Sequence, residues 1–141
     1  MAATTTEGKI ADALFTKLAA LTLSPVLEIA WPDVAFTPPD EGMWLEASIF
    51  DDPVETMALT AGGRPGRSGF LQVTVISPQN VGATTMRDVA GEVIDWFAYT
   101  TRLTSGSVAV DISGVPYMSP PVVDPPYIRV PITIPFRSYA A

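Results

Sequence analysis

The chain has 141 residues, of which 48% are hydrophobic and 16% charged, and its formal net charge is −7. This composition is too apolar for a disordered protein and too negative for one that binds nucleic acid through its phosphates. The sequence contains neither Cys nor His, which excludes disulfides, zinc and thiolate sites, and His-dependent catalytic triads. Because every apolar run is short and the start lacks a basic region before an apolar one, we expect no membrane span and no signal peptide.

The first predicted element is a helix. Thr4 and Glu7 have the spacing of a capping box at its start. Apolar residues then recur at helical spacing: Ile10, Leu14, Leu18 and Leu21. The pair Ser24-Pro25 is expected to end the helix. A short strand is predicted from Val26 to Ile29.

The middle of the chain predicts two strands separated by a long loop. In Trp44–Phe50 the apolar residues alternate with Glu46 and Ser48, which is typical of a half-buried strand. Phe70–Ile76 is rich in β-branched residues and predicts a central strand. Residues 51–69 contain several glycines and prolines, and we predict a long flexible loop or an extended hairpin tip there.

The third quarter of the chain predicts a second helix, from about Thr84 to Tyr99, with Thr84 or Thr85 as its cap. Its buried stripe is expected to contain Met86, Val89, Ala90, Val93, Ile94 and Phe97. A strand is predicted at Val108–Ile112.

Prolines dominate the last quarter, yet Tyr127–Phe136 otherwise has a strand pattern. Pro131 and Pro135 are four positions apart, so their missing N–H groups point to the same side of the strand. Prolines in sheets are confined to edge strands and bulges. We therefore predict an edge strand, with two shorter strands joined by a bulge as the alternative.

Together these elements predict one α+β domain over residues 1–141. Its expected architecture is a twisted, mainly antiparallel sheet of about four to six strands with two helices packed on one face.

No sequence motif indicates catalysis or cofactor binding. Gly62 and Gly66 are too close for a phosphate-binding loop, and Arg67 replaces the required Lys. Asp51–Glu55 lacks the spacing of a calcium loop. We therefore expect no enzyme activity, no cofactor and no resident metal. A carboxylate-dependent hydrolase and a small-ligand binding module remain as alternatives, because paired carboxylates can hydrolyse glycosides without His or Cys.

An acidic stretch is the first surface feature of the sequence. No basic residue lies between Lys17 and Arg64, a stretch that holds more than half of the acidic residues. Six of these acids are candidates for an acidic bore or rim of an assembly: Asp40, Glu41, Glu46, Asp51, Asp52 and Glu55. The alternative is a solvated acidic face that aids solubility.

Two pairs of residues are candidates for contacts between subunits. Arg64 and Arg67 are expected at the tip of the Gly-rich loop, either as a docking arm that pairs with acids on a neighbouring chain or as solvated loop residues. Pro131 and Pro135 mark the predicted strand edge. These features, with the low fraction of charged residues, predict a protein that assembles with other chains.

The order of these elements resembles that of the tail terminator family of long-tailed phages (siphoviruses) and gene-transfer particles. Five segments carry the resemblance: IADALFTKLAAL, IAWPDVAFTPPDEGMWLEASI, GFLQVTVISPQNVG, TTMRDVAGEVIDWF and YIRVPITIPFRSY. The resemblance implies a tail-terminator-like fold and a structural virion protein, made in the host cytoplasm and located at the head-proximal end of the tail.

The same resemblance implies how such a protein acts. It implies a homo-oligomer, a hexameric ring that caps the tail tube when assembly is complete and stops polymerisation of the major tail tube protein. The ring would provide the surface for head–tail joining by the head-completion proteins, while DNA passes through its bore without specific binding. Another head–tail connector or a minor tail protein is the alternative within the virion.

Overall fold

The computed structural model describes residues 5–23, 27–39, 42–52, 55–56, 65–80 and 82–139. In chain order its elements are α1 (Thr6–Ala19), β1 (Ile29–Ala30), β2 (Trp44–Asp51), β3 (Glu55–Thr56), β4 (Pro65–Pro78), α2 (Ala83–Trp96), β5 (Arg102–Ser105), β6 (Val108–Ile112), β7 (Tyr117–Met118), β8 (Val122–Asp124) and β9 (Tyr127–Tyr139). The strands form one sheet with the main order β1-β2-β4-β9-β6-β5, to which β3, β7 and β8 add at the side.

The sheet is mixed but mainly antiparallel. Only β1 and β2 run parallel among the described pairs, and β2, β4, β9, β6 and β5 follow one another antiparallel. The predicted α+β class is therefore confirmed. In the part of the chain that the structure describes, no helix is long and apolar enough to cross a membrane.

The two helices begin in different ways. Thr5 caps α1, because its Oγ1 accepts a hydrogen bond from the Gly8 amide at 3.2 Å. By contrast, α2 follows Gly82, whose φ is +108°, and has no side-chain cap. The caps predicted at Thr84 or Thr85 are wrong, because both residues already lie inside the first turn.

Both helices pack on the same face of the sheet, which we call the helix face. Their apolar stripes and alternate residues of the strands form one hydrophobic core, including Leu14, Leu18, Val89, Val93, Phe97, Leu45, Val73, Ile132 and Ile134. The Nε1 of Trp96 donates to the Lys17 carbonyl at 2.6 Å, which ties the end of α2 to the end of α1. The predicted alternation in β2 is confirmed, since Leu45 and Ala47 are buried while Glu46 and Ser48 are only half-buried.

The prediction of an edge strand at Pro131 and Pro135 is wrong, and so is the bulged alternative. The 13-residue strand β9 is continuous and lies inside the sheet, paired along its whole length with β4. Its other side carries three short partners, β8, β7 and β6, in that order along the strand.

The prolines fall in the two gaps between these short partners. β8 reaches only Arg129, β7 covers Ile132 and Thr133, and β6 begins opposite Phe136. The carbonyls of Pro131 and Pro135 accept hydrogen bonds from the Ser119 and Ser113 amides at 2.8 and 3.0 Å. As predicted, the side of β9 that carries the prolines has no continuous partner strand. Three short segments pair there instead, so neither proline lies where strand pairing needs a backbone N–H donor.

Residues 51–69 are predicted as a long flexible loop or an extended hairpin tip, and both described ends of this segment are strands. Pro65–Gly69 belong to β4, and Gly66 and Pro65 pair with the two residues of β3. Gly69 is a site of close backbone approach, because a Cβ on it would lie 2.2 Å from the Phe50 carbonyl oxygen. Residues 57–64, including Arg64, lie outside the described residues.

Candidate assembly surfaces

Arg67 does not stand at the tip of a loop. It lies in β4 on the helix face, and its Nε donates to the Glu7 carboxylate of α1 at 2.6 Å. The side chain is only 19% exposed, and its Nη1 is buried without a hydrogen-bond acceptor among the described residues. Arg67 thus holds the start of α1 against the sheet of its own chain.

The ion pair between Glu7 and Arg67 predicts a measurable pH dependence of stability. The hydrogen bond from Arg67 lowers the pKa of Glu7 below its ordinary value of 4.5. Glu7 therefore binds its proton more tightly in the unfolded chain than in the folded one. The ion pair contributes to the free energy of unfolding above pH 4.5, and this contribution is lost as the pH falls through the lowered pKa. We expect the urea midpoint of Glu7→Gln to fall less steeply on acidification than that of the wild type.

The effect should be small, because Glu7 is exposed and water screens the pair. Glu92→Gln, which changes an exposed glutamate of α2, is the matched control and should keep the wild-type acid slope. Identical slopes for the wild type and Glu7→Gln would show that the pair contributes nothing to stability.

The structure describes the side chains of three of the six candidate acids, Glu46, Asp51 and Asp52. Asp40 and Glu41 lie outside the described residues, and Glu55 is described only through its backbone pairing in β3. Glu46 lies 3.5 Å from Arg129, which also contacts Asp124 at 3.1 Å.

Asp51 ends β2 and Asp52 follows it, and both are exposed. Strand alternation places Asp51 on the helix face, near Ile49, and Asp52 on the opposite face, which we call the open face. Asp52 accepts a hydrogen bond from the Ser68 hydroxyl at 3.1 Å. Two exposed acids of the predicted set therefore lie at this end of β2, on opposite faces of the sheet.

Two features of the described residues bear on the metal and hydrolase alternatives. These residues contain no group of three or more acidic side chains that could bind a metal ion. A groove of about 660 Å³ lies between the start of α2, β9 and the segment that follows β7. Met86, Met118, Ile128 and Val130 line it, and Arg87 is its one charged residue among the residues described. Among its described lining residues, this groove lacks the paired carboxylates that the hydrolase alternative requires.

An aromatic pair on the open face was not predicted. Phe50 and Phe70 stack with ring centroids 5.0 Å apart, and Phe50 is 47% exposed. The signal was present in the alternation of β2, because Phe50 shares the parity of Glu46 and Ser48 and so cannot enter the core. Arg102 also lies on this face, where its guanidinium bonds Asp111 at 2.7 and 3.1 Å and the bond raises the pKa of Arg102.

Comparisons with known proteins give the chain its family. A family model described as phage tail terminator protein matches residues 9–136. One solved structure, 26% identical to this chain, superposes with a TM-score of 0.75 and 92% coverage of both chains. A chain from the virion of a native gene transfer agent (GTA) particle is 15% identical, with a TM-score of 0.62 and 98% coverage of both chains, and shares the fold. A search of curated proteins found no match. Because the family model spans nearly all of the sequence, this chain belongs to the phage tail terminator family.

Proposed function

We propose that the protein is a tail terminator: a homo-oligomeric ring, hexameric as the family resemblance implies, that caps the tail tube when assembly is complete. The observation that carries the proposal is the family match over residues 9–136. The family is one of structural tail proteins, so the chain is a structural component of the virion. In the proposed role it lies at the head-proximal end of the tail, stops polymerisation of the major tail tube protein and binds the head-completion proteins.

The proposed passage of DNA through the ring is compatible with the charge of the chain. A net charge of −7 disfavours adhesion to phosphates. Asp51 and Asp52 are the best described candidates for an acidic bore or rim, because both are exposed at the same end of β2. Glu46 is a weaker candidate, since Arg129 offsets its charge. Asp40, Glu41 and Glu55 remain candidates on sequence grounds.

The first experiment measures the mass of the purified full chain by native mass spectrometry and light scattering. We expect one closed species of six copies, as the resemblance implies, and electron micrographs should show an axial hole. A closed ring made by head-to-tail contacts has a fixed stoichiometry, unlike an open filament. A chain that stays monomeric at high concentration, in the absence of other tail proteins, would contradict the proposal.

The second experiment adds the assembled chain to polymerising major tail tube protein. A terminator should bind at one end of the tubes and reduce their mean length as its concentration rises. A head–tail connector that needs the finished end would leave tube length unchanged, and a minor tail protein would bind elsewhere along the tube. Tube length measured in electron micrographs therefore separates the proposed function from the alternatives.

A further inference from the structure

The main sheet path is open and ends in two different strands. At one end β1 covers only Leu45 and Glu46 of β2, so no described strand pairs with the outer side of β2 from Ile49 to Asp51. At the other end β5 pairs only with β6 among the described strands. Unpaired strand edges present backbone donors and acceptors to other chains.

The hydrogen bonds of β2 show which of its backbone groups face outward. The Leu45 amide donates to the Glu28 carbonyl at 2.9 Å, on the side of β2 that faces away from β4. The Asp52 amide donates to the Ser68 carbonyl of β4 at 2.8 Å. Because backbone direction alternates along a strand, the N–H and C=O groups of Ile49 and Asp51 point away from β4. Asp51 is exposed and Ile49 is half-buried.

The same reasoning applies to β5. The Ile112 amide donates to the Thr101 carbonyl at 2.9 Å, so residue 101 faces β6. The backbone groups of Arg102 and Thr104 therefore point away from β6. Both residues are exposed, and the Arg102 side chain is 67% exposed.

The two edges carry opposite charges on the same face. Arg102 pairs across the strands with Asp111, which pairs with Arg137, and Arg137 pairs with Ser68. The Ser68 hydroxyl donates to Asp52, so Arg102 and Asp52 both lie on the open face. Arg102 uses Nε and Nη2 for Asp111, which leaves Nη1 available for an acid on another chain.

We propose that neighbouring copies of this chain join edge to edge, with β5 of one copy adding as a strand to the outer edge of β2 of the next. The proposal rests on the ring of the proposed function. The strand that pairs with the β2 edge comes from a second copy of this chain. β5 fits this edge because the two have a similar number of outward-facing backbone groups, and because β5 carries an arginine where the β2 edge carries acids. Pairing β2 with β2 would oppose like charges. A contact between two different edges is head-to-tail and repeats from copy to copy until the ring closes.

The first test is Thr104→Pro with Thr104→Ala as its matched control. Proline removes only the outward N–H of β5 and is tolerated at a strand edge, while Leu103 and Ser105 keep their bonds to β6. We expect Thr104→Pro to fold with the wild-type circular dichroism spectrum but to weaken each contact about tenfold. Thr104→Ala should assemble as the wild type does. A wild-type ring that persists in folded Thr104→Pro would overturn the edge contact.

The second test uses the absence of cysteine from the chain. Phe50→Cys and Thr104→Cys place thiols on the open face beside the two edges, and a short bis-maleimide tolerates small differences in register. We expect no cross-link in either single variant, dimers when the two variants are mixed, and a ladder up to the closed ring when one chain carries both.

The outcomes separate this inference from the proposed function. Cross-linking within a single variant would show that like edges meet and would overturn the inference. A hexameric wild type without cross-links in the mixture would also overturn it, while leaving the ring in place. A wild type that never assembles would instead overturn the proposed function.

Discussion

Replacing Gly69 by alanine is expected to destabilise the protein by about 1–3 kcal/mol, the usual cost of overpacking a core position. A Cβ at residue 69 would lie 2.2 Å from the Phe50 carbonyl oxygen and 3.0 Å from the Asp51 Cα, and both atoms belong to the β2 backbone. It would also lie 3.2 Å from the Phe136 ring. The ring can adjust, but the backbone contacts can be relieved only by moving β2 away from β4.

Gly91→Ala is the matched control. Gly91 lies inside α2, and a Cβ there would have no atom within 4 Å beyond its neighbours and the backbone of its own helix. Alanine at this position should stabilise the chain by about 0.5–1 kcal/mol, because glycine is unfavourable inside a helix. Urea unfolding of the two variants should therefore shift in opposite directions. If Gly69→Ala were as stable as the wild type, the close approach of β2 and β4 would be excluded.

The Gly69 contact also explains why the sequence does not indicate a regular strand at residues 65–69. In sequence, a cluster of glycines and prolines is a signal for turns and loops. The same glycine is also required wherever two strands approach too closely for a side chain. Local sequence cannot distinguish these two causes, because the second depends on Phe50, which is distant in the chain. The position of Arg67, two residues before Gly69, was predicted wrongly for the same reason.

Periodicity did predict the parts of the fold that depend on burial. The stripe of α2 from Met86 to Phe97 is buried apart from half-buried residues such as Ile94. β6 has the predicted bounds, Val108–Ile112. These predictions succeeded because a helix or strand with one apolar face can bury that face in only one orientation.

The partners of β9 could not be predicted from sequence. Two prolines on one side exclude a continuous partner there, and an edge strand is the simplest way to meet that condition. The chain meets it differently, with three short partners whose lengths of two to five residues are too small to show a period. The candidate edges at β2 and β5 depend on this topology and were missed for the same reason.

Replacing Phe97 by alanine should have the largest effect of any single change considered, a loss of about 3–5 kcal/mol. Phe97 follows the last turn of α2, is fully buried and belongs to the core that joins both helices to the sheet. Truncation would remove apolar contacts and leave a cavity, because surrounding side chains relax only in part.

Tyr99→Ala is the control, since this nearby aromatic residue is 54% exposed and should change stability by about 0.5 kcal/mol or less. The comparison is made by urea unfolding at one protein concentration, because assembly stabilises the folded chain by mass action. Equal losses for the two variants would contradict the burial of Phe97, whereas a large loss for Phe97→Ala alone would show that the end of α2 is held by the core.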